Sequence, residues 1–138
     1  MSRIIQTDSP AQYREKLLKT LASAYRDYKE EEMTEAQQKD LCAFALLTLK
    51  VLSESIDRTA SAWEKRDYWL KADRLRNAWK WTSKTYDEMH AALITNDVDA
   101  ALHSLNKLSV HLDSITLPKK SSGRNLWKGA WKKWKHGK

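Results

Sequence analysis

Apolar residues recur at steps of three and four along most of this chain, and four stretches hold that period long enough to predict helices. In the first, Tyr13, Leu17, Leu21, Ala24 and Tyr28 share one face. Ser9-Pro10-Ala11-Gln12 precedes them and supplies an N-cap, a proline at the first helical position and a capping-box glutamine. Thr34 and Gln37 form a second capping box, and Glu35 and Asp40 suit the positive end of the helix dipole. That second helix carries Leu41, Phe44, Ala45, Leu49, Leu52 and Ile56, which predicts the most buried element, continuing to about Trp63. The third has the most regular seam: Tyr68, Ala72, Leu75, Trp79, Thr82, Tyr86, Met89 and Leu93 alternate steps of four and three. Thr95-Asn96-Asp97 breaks the pattern, with Asn96 or Asp97 as cap. Val98, Ala101, Leu105, Leu108, Leu112 and Ile115 then form a fourth face that Pro118 stops.

Short connections favour antiparallel neighbours, so the expected fold is all-α, an antiparallel up-down four-helix bundle with two longer central helices. The outer helices of roughly 20 residues would span about 30 Å, and unbroken central ones of roughly 28 residues about 42 Å. The central hairpin should then project, with Trp63, Tyr68 and Trp69 marking the projecting end as a partner interface and the C-terminal tail leaving from it. A bend of the second helix around Ser53, Ser55, Thr59 and Ser61 would fold that overhang away. Two domains of unlike character are expected: a bundle over residues 1–118 and a tail over residues 119–138.

Glycine and proline sharpen the exclusion. Between Ala11 and Leu117 there is neither, which removes Walker-type phosphate loops, dinucleotide-binding glycine fingerprints and multi-hairpin β folds. The single Cys42 sits in the apolar stretch Leu41–Leu49, where an inert buried thiol is expected. No secretory h-region opens the sequence, no apolar run is long enough to span a bilayer, and a cytoplasmic protein fits best.

Charge is what changes the functional picture. The net charge is +7, yet residues 119–138 hold eight basic residues and no acidic one, leaving 17 basic against 18 acidic in residues 1–118. On a helical wheel Trp127, Trp131 and Trp134 share one face of the tail, and Lys128, Lys132, Lys133 and Lys135 take the remaining arc, with Arg124 just upstream. Such a segment can neutralise phosphates with lysines while indoles stack on unpaired bases. It can also lie on an anionic membrane surface, or dock its indoles onto protein. Gly129 and Gly137 weaken an isolated helix by about 1 kcal/mol each, so the tail is expected to need something to hold it.

A second basic strip lies on the third helix, where Arg74, Arg76, Lys80 and Lys84 interleave with Trp69 and Trp81. The bland reading makes these tryptophans a widened buried stripe and these charges solvated surface. The acidic run from Glu30 to Asp40 is a possible partner for the strip. Catalytic signals are thin: no His-Glu-x-x-His occurs, Asp87 and His90 lack the second pair that a bundle metal site requires, and no cofactor is implied.

In size, helicity and basic surface the chain resembles the small helical subunits of nucleoprotein assemblies, such as those of CRISPR effector complexes. That likeness implies one component of a larger assembly. The expected role is non-enzymatic binding of RNA or single-stranded DNA, with Lys and Arg on phosphates and Trp on bases. The alternative is a scaffold whose tail and projecting end bind a protein or a second copy; a membrane-surface module ranks below both.

Overall fold

A computed structural model of the chain describes residues 9–117 and 126–136. Among these residues the protein is all-helical, with α1 (Pro10–Glu30), α2 (Glu35–Lys65), α3 (Trp69–Ala78), α4 (Lys80–Ile94), α5 (Val98–Lys107), α6 (Ser109–Leu112) and α7 (Ala130–His136). Both capping boxes form. Ser9 Oγ accepts the Gln12 amide while the Gln12 side chain accepts the Ser9 amide, and Thr34 and Gln37 repeat the exchange on α2. The chain reverses without glycine because Asp67 and Asn96 adopt positive φ, at 66° and 60°. Each ends its helix with the amide of the following residue reaching back to the third-last helical carbonyl: Tyr68 N–H to Trp63 at 2.9 Å, and Asp97 N–H to Ala92 at 2.8 Å. Short polar side chains tolerate that conformation better than any others except glycine.

Helix α2 is the axis of the molecule, packed against α1, α3, α4, α5 and α7. It runs unbroken for 31 residues, about 46 Å at 1.5 Å per residue, through its serine- and threonine-rich stretch. Its apolar face supplies Leu41, Leu46, Leu49 and Leu52 to a core that Leu21 from α1, Met89 and Leu93 from α4, Leu105 from α5 and Leu108 complete. Cys42 is buried among them, and desolvation pushes its thiol up to about 12, so it stays protonated and inert.

Two expectations need correction. The third predicted helix is two elements meeting at Trp79, which leaves helical geometry at φ −111° and ψ 12°. No proline or glycine causes this. Thr82 donates both its amide and its hydroxyl to the Trp79 carbonyl, at 3.0 and 2.8 Å, replacing a regular helical bond with a tighter turn. The seam nevertheless continues across the break, since Ala72, Thr82, Met89 and Leu93 are all buried; Tyr68, at its head, is exposed. The fourth predicted helix also divides, at Leu108, whose amide bonds three residues back to Leu105. It therefore does not run the length of α2. Leu112 and Leu117 line a cleft with Ala22, Tyr25 and Arg26 of α1, and Tyr25 Oη bonds Asn106 Oδ1 at 3.3 Å. The exit towards the C-terminus thus stays near the α1–α2 turn, the end opposite to the expected one.

Candidate nucleic-acid interface

Residues 126–136 lie on the body of the protein. Trp127 is 1% exposed and belongs to the core, and its Nε1–H donates to Asp27 Oδ2 of α1 at 3.0 Å. Asp40, near the start of α2, then receives the incoming helix. Its Oδ2 accepts the Gly129 amide and its Oδ1 the Trp131 amide, each at 3.0 Å. This is an N-cap supplied from another helix, with one carboxylate satisfying two amides that have no partner inside α7. Gly129, at φ +79°, makes the turn into α7, so the residue that weakens an isolated helix is what starts this one.

The remaining indoles are half-buried. Trp131 and Trp134 pack ring to ring at 5.4 Å, and His90 of α4 meets Trp134 edge-on at 6.0 Å. The Trp131 ring already carries two ammonium groups, Lys39 Nζ at 5.3 Å and Lys135 Nζ at 5.5 Å from its centroid. The three tryptophans assigned to base stacking are thus brought together as anchors, and Trp127 offers no exposed ring face. The charges are placed otherwise. Lys128, Lys132, Lys133 and Lys135 are exposed, and none forms an ion pair with a described carboxylate. Arg124 lies outside the described residues.

The strip on α3 and α4 is a separate feature. Arg76 bridges α3 to α2: it donates to Glu64, to Asp57 Oδ1 at 3.1 Å and to Ser61 Oγ at 3.3 Å. Those bonds, with Glu64 the largest contributor and Asp57 next, raise its guanidinium above its ordinary value. Arg74, Lys80 and Lys84 are exposed. Asp40, which holds α7, and Asp57, which holds Arg76, are 17 residues apart on one continuous helix, so about 26 Å separates the two basic regions along α2.

The residues named for a partner interface divide as well. Tyr68, Trp69 and Leu70 are 51%, 60% and 63% exposed at the α2–α3 turn. Trp63 is half-buried beneath Lys71, whose Nζ lies 4.5 Å from its ring centroid. Asp27 and Asp40, which position the tail, escaped the sequence pattern. Asp40 lies in the acidic run noticed there, but its role depends on a contact 89 residues away, which no local period encodes. No cluster of His, Cys, Asp and Glu able to hold a metal occurs among the described residues, and no described helix is long and apolar enough to cross a membrane. Comparison with protein-family models, curated proteins and solved structures finds no match to this chain.

Proposed function

We propose that this protein binds nucleic acid without catalysis, as a helical-bundle component of a larger assembly, through phosphates neutralised by Lys128, Lys132, Lys133 and Lys135. One observation carries the reading: the indole side of residues 127–136 is held against α1 and α2 while Lys128, Lys132, Lys133 and Lys135 stay exposed without an ion pair to a described carboxylate. An exposed array of ammonium groups meets a polyanion without first breaking internal ion pairs, and counterion release from the phosphates supplies the free energy. The tryptophans act as anchors that fix the array. Arg74, Lys80 and Lys84 provide a second, more distant contact for a longer strand.

Fluorescence anisotropy of labelled single-stranded RNA and DNA at several salt concentrations tests this. Log affinity should fall steeply with log salt, and Lys→Gln at Lys128, Lys132, Lys133 and Lys135 together should reduce the slope by about three units, at about 0.7 per phosphate on a single strand. A flat salt response from the wild-type protein would overturn the reading.

A second reading, docking of a protein partner, is favoured by the three consecutive exposed apolar side chains Tyr68, Trp69 and Leu70. Under it, Trp69→Ser with Leu70→Ser abolishes partner capture, and the α7 lysine substitutions leave capture intact.

A further inference from the structure

Among the described residues, Arg14 is a buried positive charge with no acid opposite it. Its side chain projects from the first turns of α1 and is 6% exposed. No described carboxylate pairs with it. Its Nη1 donates to Ser55 Oγ at 3.3 Å and to Thr59 Oγ1 at 3.1 Å on α2, and its carbon Cζ lies 5.9 Å from the Trp79 ring centroid. Its Nε is buried without any partner. A buried, unpaired cation is expensive, and such groups are ordinarily paired.

What lies beside it explains the arrangement. Ser55 and Thr59 also line a cleft of about 790 Å3 between the start of α1 and the C-terminal half of α2. Tyr13 and Trp63 supply aromatic walls, and Arg58 and Arg66 add two further guanidinium groups. Among the described residues no acidic side chain lines it.

The hydroxyls determine what the cleft can take. A guanidinium has donors only, so both hydroxyl oxygens must accept from Arg14, and each retains its own O–H to give. Elsewhere in the protein, helical hydroxyls return that hydrogen to a carbonyl one turn back, as Thr20 does to Lys16 and Thr48 to Phe44. Neither Ser55 nor Thr59 makes that return bond: each accepts from Arg14, and neither hydroxyl donates to a described residue. Two spare donors, polarised from behind by a buried cation and flanked by two arginines, form a recognition surface for a compact, multiply charged anion. The aromatic walls suit a planar ring carried on that anion.

We infer that this cleft binds a phosphate monoester bearing a planar ring, of the class of nucleoside 5′-monophosphates, with Ser55, Thr59, Arg58 and Arg66 on the phosphate and Tyr13 and Trp63 against the ring. Arg14 is a positioning residue: it turns the two hydroxyls into donors and supplies the field behind them. The site is independent of the α7 lysines.

Isothermal titration of the full chain with AMP, inorganic phosphate and adenosine tests the inference. AMP should bind at least ten-fold more tightly than either fragment. Thr59→Val, which keeps shape and removes one donor, should weaken AMP at least five-fold. Arg58→Gln with Arg66→Gln, at exposed positions where folding is not at stake, should weaken it at least ten-fold. Lys→Gln at Lys128, Lys132, Lys133 and Lys135 together should leave AMP affinity within two-fold, which separates this site from the nucleic-acid reading. The inference is overturned if AMP does not bind, if it binds no better than phosphate or adenosine, or if the folded Arg58/Arg66 variant retains wild-type affinity.

Discussion

Trp127 donates its indole N–H to Asp27 across 3.0 Å, joining residues 100 positions apart inside the core. The bond has a charged acceptor and is shielded from water, the circumstances in which one hydrogen bond contributes most. Trp127→Ala should cost about 3–5 kcal/mol, chiefly through lost burial. Trp127→Phe keeps most of the apolar surface but strands the carboxylate, and should cost about 1.5–3 kcal/mol. Urea unfolding of both variants, with Asp27→Asn to close a double-mutant cycle, measures the coupling. If Trp127→Phe is as stable as the wild type, the bond is not formed in solution.

Asp40 makes a different kind of anchor, because it holds only the backbone of the tail. Asp40→Ala removes the acceptor for two amides and should cost about 1–2 kcal/mol, in the range of other lost N-caps. The loss should be local. Hydrogen exchange at the Gly129 and Trp131 amides should quicken markedly, and amides in the middle of α2 should keep their wild-type protection. Equal loss across both regions would mean that α7 is part of the cooperative core and not a docked element.

Arg76 and Lys80 lie in the same basic strip but in different surroundings. The Arg76 guanidinium is engaged by Glu64, Asp57 and Ser61, and a phosphate would have to displace those bonds. Arg76→Ala should therefore leave RNA affinity and its salt slope unchanged while quickening amide exchange in α3. Lys80→Ala, at an exposed position nearby, should weaken binding to a strand long enough to reach it. A drop in affinity for Arg76→Ala equal to that for Lys80→Ala would show that the α2 carboxylates release it on contact.

The two capping boxes, the stop at Asn96–Asp97 and the apolar face of α2 were legible in the sequence because each is a local signal, read within one or two turns. The breaks at Trp79 and Leu108 were not, since neither a proline nor a glycine marks them and the apolar period runs through both. The tail shows the same division at the level of the site. Its amphipathic wheel was legible, and so was the basic arc of Lys128, Lys132, Lys133 and Lys135. What the wheel could not say is which surface the indoles face. That depends on Asp27 and Asp40, two carboxylates on other helices whose part is set by tertiary contact alone. Arg14 was hidden for a related reason: an arginine among the apolar positions of α1 looks like ordinary surface until α2 places two hydroxyls over it.

His111 gives the protein a pH dependence whose sign can be worked out. Its ring stacks on Trp81 at 4.1 Å and 8°, and burial lowers its pKa from the ordinary 6.5. The folded protein thus favours the neutral imidazole, and the unfolded chain takes up the proton first as the solution is acidified. Stability rises with pH wherever the unfolded state binds more protons, so this contribution is fully present above about 6.5 and is lost as pH falls through 6.5 towards the lower folded value. His111→Phe keeps a ring on Trp81 and cannot titrate. The stability difference between wild type and His111→Phe, measured by urea unfolding from pH 7.5 to 5.0, should shift steadily against the wild type on the acid side. A shift in the opposite direction has a physical meaning too, because an imidazolium over an indole face is attracted to it. In that case the attraction of Trp81 outweighs the cost of burial, and the pKa of His111 is raised.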